Sequence, residues 1–335
     1  MEIDTSCKAE EFKPPLTQRS LFFRVLLSRQ VLLIGFLIIF ALVVSAFQPK
    51  FLTFQNFRVI VTVMGFETVV AIAMGVQLIN GMIDLSVAGI ANMCGVIVGA
   101  LLASGVHPAP AMCIAFAIGA CVGIVNGFLV TKWGTNPMVT TLGTWWACQG
   151  IAYGLSGGIS FHRFSEGFQA LGQGAILGIE TPIWYMVIFT VIVSFVMAKT
   201  KFGYHVYATG GDRRAARLNG VKTDQLTIIV FVISALAAAF CGIMYAARLN
   251  ASAPMAVVGL EMRSIAAGII GGISMAGGEG LVAGSALGML FMFMLKNATV
   301  MIGVSVYWEY TVLGLVLVAA VAFDALSRKR MTKAR

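Results

Sequence analysis

Charged side chains are scarce in this chain of 335 residues: aspartate, glutamate, lysine and arginine together make up 11% of it, whereas apolar residues make up 59%. Soluble domains carry roughly 25% charged residues, so this composition excludes an ordinary soluble fold. In hydrocarbon a chain must satisfy its backbone hydrogen bonds internally, which an α-helix does within one segment. The composition therefore predicts an all-α, polytopic membrane protein whose outer faces contact lipid.

The side chains that usually carry catalysis or bind metals are also few. His107, His162 and His205 lie far apart, with no cysteine or carboxylate at metal-ligand spacing and no Ser-His-Asp arrangement. The glycine-rich runs 208–220 and 271–280 do not match the phosphate-binding or dinucleotide-binding patterns, which follow a strand. We therefore expect no catalytic residues, no metal, no cofactor and no ATP hydrolysis by this chain.

Two further absences concern processing. Five of the six cysteines lie in apolar runs and Cys7 lies in the N-terminal tail, which offers no disulfide framework. No small-residue cleavage site follows the first apolar run. We therefore expect this first run to be retained as a membrane span.

The apolar residues are grouped into ten runs separated by short polar segments. A membrane-spanning helix needs about 20 mostly apolar residues. The runs lie at 31–47, 59–79, 83–104, 111–131, 138–156, 182–198, 225–247, 264–277, 281–302 and 307–323. The eighth run is short, which is typical of a broken or partly re-entrant span. We predict about ten transmembrane helices in one domain, residues 31–326, between the tails 1–30 and 327–335.

The 23 lysines and arginines indicate how the helices are oriented. If the N-terminus lies in the cytoplasm and the runs alternate, most basic residues lie on the cytoplasmic side, while Arg263 and a few others lie on the outer side. Both termini and segment 201–224 are then cytoplasmic, and segment 157–181 is periplasmic. The net charge of +9 thus reflects membrane topology, and we expect no nucleic-acid partner.

Segment 201–224 is strongly polar although it lies between two apolar runs. Asp212 can cap the first turn of a helix, and Gly220 suits the left-handed residue that ends one. The segment therefore predicts a surface loop that presents one short basic helix to a partner outside the membrane. The alternative is a charged face that contacts only water.

Four polar side chains lie in or beside apolar runs: Glu67, Asn80, Asp84 and Asn126. Unpaired polar groups avoid lipid, so we expect these four to lie near a translocation pathway or its gate. Glu67 is either a pathway or ion-coupling carboxylate, or a carboxyl group hydrogen-bonded to a neighbouring helix. Asp84 is either a helix cap or part of a gate.

Glycine recurs at every fourth position in several runs, as at Gly119, Gly123 and Gly127. Such small faces let membrane helices approach closely and pack by van der Waals contact. We predict that these glycines pack against another helix and do not form a site.

Four motifs occur in order along the chain: GMIDLSVAG around Asp84, ATGGDRRAARLNGV in segment 201–224, LEMRSIAAGIIGGISMAGGEG at 260–280, and GLVLVAAVAFD near the C-terminus. With these motifs the chain resembles the membrane permeases of ABC importers for ribose, xylose, galactose and related monosaccharides. The resemblance covers nearly all of the chain after residue 30. Departures from the family pattern occur at Met82, Asp212 and Ala298.

The resemblance implies a type II-like ABC importer permease in the bacterial cytoplasmic (inner) membrane, with about ten helices and both termini inside. Two permease chains, identical or homologous, would form the pathway, with two ATPase subunits beneath them and a periplasmic sugar-binding protein above. ATP hydrolysis would reside in the separate ATPase. The coupling helix that seats in a groove of the ATPase would comprise Asp212, Arg213, Arg214, Ala215, Ala216, Arg217 and Gly220.

Two alternatives stay open at the level of the sequence. The chain could be an ion-coupled secondary transporter or a channel that uses Glu67, with segment 201–224 only solvated. It could also be an ABC permease for another small polar solute, such as a nucleoside, a branched amino acid or a signalling furanose.

Overall fold

The computed structural model of the protein describes residues 29–308 and 311–322, which are mostly helical. In chain order the α-helices of these ranges are α1 (Arg29–Phe47), α2 (Phe54–Ile79), α3 (Val87–Ala103), α4 (Pro108–Lys132), α5 (Pro137–Ser156), α6 (Glu166–Gln173), α7 (Thr181–Lys199), α8 (Lys201–Gly211), α9 (Arg213–Leu218), α10 (Thr223–Leu249), α11 (Leu260–Ile270), α12 (Val282–Met301) and α13 (Thr311–Ala322). Short 3-10 helices cover Pro49–Leu52 and Val306–Trp308. The predicted tails 1–30 and 327–335 lie outside the described residues, apart from the first two residues of α1.

Each of the ten predicted apolar runs overlaps one of these helices. Six of them, α1, α2, α4, α7, α10 and α12, are long and apolar enough to cross a membrane, judged by length and composition, and α3 and α13 are shorter apolar helices. The short eighth run corresponds to α11, which has 11 residues. The predicted helical membrane architecture is confirmed, while the number of crossings stays a prediction.

Helices α2, α3 and α10 form the centre of the bundle. Nearly every side chain of α2 after residue 61 is buried, because α10, α7, α11 and α12 all pack against it. By contrast, α1 and α7 bury few side chains and expose leucine, isoleucine, valine and phenylalanine. Apolar outer faces of this kind suit contact with lipid.

The glycines at every fourth position of α4 face α10, as predicted. A Cβ atom at Gly127 would lie 2.7 Å from the Cα of Ile228, and one at Gly123 would lie 2.9 Å from the carbonyl oxygen of Phe231. Gly119 faces Ala239 in the same way. The small residues let the backbones of the two helices touch, so van der Waals contact holds them together.

In the described residues, three short strands lie in the segments that flank α6, and a fourth follows α10. Strand β1 (Phe161–His162) pairs antiparallel with β4 (Ala251–Ser252), and β2 (Ala175–Ile176) pairs antiparallel with β3 (Ile179–Glu180). Phe168 of α6 is fully buried. These contacts fold segment 157–181 back onto the end of α10.

Segment 201–224 contains two helices, so the prediction of one helix in a surface loop needs correction. Helix α8 fills its first half, where the hydroxyl of Thr200 accepts a hydrogen bond from the backbone N–H of Gly203. Val206 of α8 is fully buried, and Phe202, one turn earlier, packs against the same core. The polar composition of the segment concealed this apolar i, i+4 pair, which is the spacing of one helix face.

Candidate functional site

Helix α9 has the ends that the sequence predicts. Asp212 is extended (φ −151°, ψ 102°), and its Oδ1 accepts hydrogen bonds from the backbone N–H groups of Arg214 (2.8 Å) and Ala215 (3.0 Å). The helix ends at Leu218, and Gly220 has φ +83°. An Asp cap and a left-handed glycine satisfy backbone groups that a six-residue helix leaves open at its ends.

A group of cations around Asp224, which we call the Asp224 cluster, holds α9 against the start of α10. One Asp224 oxygen accepts from the guanidinium groups of Arg213 (3.3 Å) and Arg217, and the other lies 3.5 Å from Nζ of Lys132. Arg217 also donates to the hydroxyl of Thr223. Because Asp224 lies in the first turn of α10, its charge also interacts favourably with the helix dipole.

The opposite face of α9 is open. The side chain of Leu218 is 82% exposed, and Arg214 and Ala215 are exposed beside it. Within residues 29–308 and 311–322, the guanidinium of Arg214 has neither a hydrogen bond nor an ion pair. Ala216 is 5% exposed, so it lies on the inner face of α9 and not on the surface where it was predicted.

Asn80, a predicted gate residue, is connected to α9. It caps the C-terminus of α2, and its Nδ2 donates to the hydroxyl oxygen of Thr227 in α10 (3.1 Å). The same oxygen accepts from Nη1 of Arg213 (3.2 Å). The structure thus joins a predicted coupling residue to a predicted gate residue through a threonine that the sequence did not indicate.

Two other predicted residues, Asp84 and Asn126, meet in a buried polar cluster. Asp84 accepts from the backbone N–H (2.9 Å) and the hydroxyl of Ser86, and from the hydroxyl of Ser234 (2.8 Å). Asn126 donates to the hydroxyl oxygen of Ser86 (3.0 Å) and accepts from Thr144 (2.6 Å). The cluster joins the start of α3 to α4, α5 and α10, so Asp84 satisfies one amide just before α3 and also links helices.

Glu67 lies apart from these groups, in a buried ion pair that we call the Glu67 pair. Its Oε2 accepts from Nε of Arg263 (2.8 Å), and its Oε1 accepts from Nη2 of Arg263 and from the hydroxyl of Tyr245, both at 2.9 Å. Arg263 was expected on the outer side, but it is buried in α11. A buried carboxylate needs a partner of opposite charge, and that need is the signal in the sequence that could have found Arg263.

A further buried polar contact was missed altogether. Nδ2 of Asn92 in α3 donates to Oε1 of Gln149 in α5 (3.0 Å), while Oδ1 of Asn92 accepts from the backbone N–H of Val257 (3.1 Å). Gln149 in turn donates to the carbonyl oxygen of Pro254. Both amides lie within apolar runs, which was the available signal.

The described part of the chain holds no group of three or more histidine, cysteine, aspartate or glutamate side chains placed to bind a metal. Its polar side chains instead form helix-to-helix links and one exposed basic surface. In the described residues these links connect α2, α3, α4, α5, α9, α10 and α11.

Comparison with known proteins agrees with this arrangement. A family described as "Branched-chain amino acid transport system / permease component" matches residues 56–321. The chain is 35% identical to the L-arabinose transport system permease protein AraH of Escherichia coli K12, over 88% of this chain and 91% of that protein. It is 31% identical to the ribose import permease protein RbsC of the same strain, over 91% and 96%.

The autoinducer 2 import system permease protein LsrC of Photorhabdus luminescens is also similar, at 32% identity over 90% of this chain and 91% of that protein. No solved structure matches the chain. The family and the six long apolar helices confirm the predicted multi-pass protein of the bacterial cytoplasmic membrane. From residue 56 to residue 321, the chain belongs to the family of transport-system permease components.

Proposed function

We propose that this chain is the transmembrane subunit of an ATP-driven importer for a monosaccharide. Three similar permeases are named for L-arabinose, ribose and autoinducer 2. The observation that carries the proposal is α9, a capped basic helix that is held against α10 on one side and exposes Arg214, Ala215 and Leu218 on the other. Such a surface fits docking to a separate subunit.

In this proposal the membrane domain spans residues 31–326 with about ten helices, and both tails and segment 201–224 are cytoplasmic. Two such chains, identical or homologous, enclose the pathway. An ATPase subunit binds beneath each, and a periplasmic binding protein delivers the sugar to the side that carries segment 157–181. ATP hydrolysis takes place in the ATPase.

Closure of the ATPase pair on ATP pushes α9, and the Asp224 cluster passes this movement to α10 because Arg213 and Arg217 of α9 both contact Asp224. Rigid-body movement of packed helices then opens one side of the pathway and closes the other. Asp212 and Gly220 keep α9 helical during the movement, and Arg214 with Ala215 contacts the ATPase. Arg213 and Arg217 anchor α9 from within, and Ala216 provides the close approach to the bundle.

The four interior polar residues act in the gate by holding helices together. Asn80 ties the end of α2 to α10, and Asp84 with Asn126 joins α3, α4, α5 and α10. Glu67 is neutralised by Arg263 and so is poorly suited to bind a coupling ion. This ion pair favours an ATP-driven importer over the alternative of an ion-coupled transporter.

Reversal of one charge tests the docking surface. Arg214→Asp places a negative charge on the exposed face of α9 without removing a side-chain hydrogen bond or ion pair to any described residue. We expect the ATPase to co-purify with the wild-type permease and to be lost from this variant. The matched control is Arg163→Asp, an equal charge change at an exposed residue of segment 157–181. Equal recovery of the ATPase with R214D and the wild-type protein would refute the assignment of the surface.

Cargo and energy source can be tested in cells that lack their own permeases for these sugars. Uptake of radiolabelled L-arabinose and D-ribose should require the permease together with its ATPase and binding protein. Uptake should stop on ATP depletion and persist when an uncoupler removes the proton gradient. The reverse pattern would establish the ion-coupled alternative, and transport of nucleosides or branched amino acids in place of both sugars would refute the choice of cargo.

A further inference from the structure

The hydroxyl of Thr227 occupies an unusual position between two helices that are not neighbours in sequence. Thr227 lies in the second turn of α10 and is fully buried. Its single oxygen accepts one hydrogen bond from Arg213 of α9 and one from Asn80 at the end of α2. Both donors therefore depend on the same atom.

The end of α2 has little else to hold the side chain of Asn80. Oδ1 of Asn80 is buried and has no hydrogen-bond partner in the part of the chain that the structure describes. A buried polar atom without a hydrogen-bond partner lowers the free energy of unfolding. Asn80 is present at this position in spite of that loss of stability. Its bond to Thr227 is what fixes the orientation of the side chain.

Backbone contacts bring the same end of α2 against the segment that carries α9. Gly210, at the end of α8, lies so close to the carbonyl oxygen of Ile79 that a Cβ atom would not fit. Gly278 donates its backbone N–H to that carbonyl (2.8 Å), and Gly277 (φ +85°) packs on both Gly210 and Gly81. The end of α2 is thus clamped between α8 and the turn at 277–278.

Helix α2 also carries Glu67, between three and four turns before Asn80, and the Glu67 pair joins α2 to α11. A displacement of the cytoplasmic end of α2 is therefore transmitted to α11 as well. The route from α9 to α2 and α11 shares Arg213 with the Asp224 cluster and branches from it at Thr227, one turn further along α10.

We propose that Thr227 is a positioning residue that conveys movement of α9 to α2, so that α2 moves with α10 when the ATPase closes. This inference rests on the proposed function. It assigns to one hydroxyl group a role in the coupling of ATP hydrolysis to transport, and not in attachment of the ATPase.

The test replaces the hydroxyl by a group of the same size. Thr227→Val removes the shared acceptor and keeps the shape, whereas Thr227→Ser keeps the acceptor. In the complete complex with ATPase and binding protein, we expect T227V to bind the ATPase normally. The amount of sugar transported per ATP hydrolysed should fall at least about fivefold, which is the lower end of typical couplings between two sites. T227S should remain within about twofold of the wild type, because the oxygen that sets the coupling is retained.

Thr131→Val is the matched control. Among the described residues the hydroxyl of Thr131 bonds only the carbonyl oxygen of Gly127 in its own helix, so its loss should leave transport per ATP unchanged. Wild-type coupling in T227V would overturn the proposal, as would equal losses in T227V and T227S, which would indicate a packing effect. Should T227V fail to reach the membrane, Asn80→Ala cuts the same link from the other side, and wild-type coupling in that variant would overturn it.

These outcomes are distinct from those for the proposed function. Loss of the ATPase from the wild-type permease, or transport without ATP, refutes the importer itself. A coupling ratio that does not respond to the hydroxyl of residue 227, in a complex that does import sugar, refutes only the role of Thr227.

Discussion

Arginine meets a carboxylate in two regions of this protein, and the two arrangements differ in burial and in number of partners. In the Glu67 pair one arginine binds both oxygens of one glutamate, and both side chains are at most 10% exposed. In the Asp224 cluster three cations share one aspartate, and the arginine and lysine side chains are 31–60% exposed. The first arrangement fixes two helices, and the second can rearrange.

The physical reason lies in the solvent. Around Asp224, water and salt screen each ion pair, and three cations compete for two oxygens, so the loss of one contact is partly replaced by another. Glu67 and Arg263 are both buried, so solvent screens their ion pair little and breaking it is strongly destabilising. We therefore assign rigidity to the Glu67 pair and movement to the Asp224 cluster, and four predictions test this contrast.

The largest expected effect follows removal of charge from the interior. Glu67→Gln should lower the free energy of unfolding by about 3–5 kcal/mol, because it removes one charged partner from a buried ion pair. The midpoint of thermal unfolding of the purified protein in detergent, followed by tryptophan fluorescence, measures the loss. The exposed Glu279→Gln serves as the control and should unfold like the wild type.

A double variant sharpens this result. Glu67→Met with Arg263→Met removes both charges of the Glu67 pair and should be more stable than E67Q alone. If E67Q unfolds at the wild-type temperature, the Glu67 pair does not provide the rigidity assigned to it.

A smaller loss of stability is expected where α4 and α10 pack closely through uncharged residues. Gly127→Ala adds a methyl group 2.7 Å from the Cα of Ile228 and should cost about 1–3 kcal/mol of stability by overpacking. Gly143→Ala, in a helix position with no atom within 4 Å, is the matched control and should be neutral or slightly stabilising. Equal stability of the two variants would show that α4 and α10 can move apart freely.

The Asp224 cluster should respond much less in stability. Asp224→Asn should cost no more than about 1 kcal/mol, because its ionic partners are largely solvated. The rate of sugar uptake should fall strongly although the free energy of unfolding changes little, since α9 loses its ionic contacts with α10. Thermal unfolding and sugar uptake, measured on the same variant, separate the two effects, and a stability loss as large as that of E67Q would remove the distinction between the regions.

The smallest expected effect is the change that salt causes in the thermal midpoints of the variants relative to the wild type. Raising the ionic strength from about 0.1 to 1 M shortens the Debye length from about 10 to 3 Å, which weakens the contacts of Asp224 but not the buried Glu67 pair. The difference in thermal midpoint between D224N and the wild type should therefore shrink in high salt, whereas the difference between E67Q and the wild type should persist. Parallel changes in both differences would contradict the contrast.

Local features were predictable from the sequence. The start of α9 follows from Asp212, whose side chain caps the next residues, and its end follows from Gly220, whose backbone adopts a positive φ. Both effects are local, and the structure has both limits as expected. The apolar runs gave the positions of the long helices for the same reason, since hydropathy is a property of each segment by itself.

Contacts between distant segments were not predictable. Arg263 lies 196 positions from Glu67, and Thr227 lies 147 positions from Asn80. A single sequence identifies the polar group that needs a partner but not which residue provides it. Helix α8 was missed for another reason: its buried side chains occupy only one narrow face, and its average composition is that of a loop.

The brevity of α9 has a consequence for any protein that binds it. A helix of six residues is too short to persist in water without help, yet here its first amides are satisfied by Asp212 and its inner face rests on α10. An incoming subunit therefore encounters a preorganised element and loses little conformational entropy in recognising it. A partner that docks on α9 would therefore not have to fold the helix first.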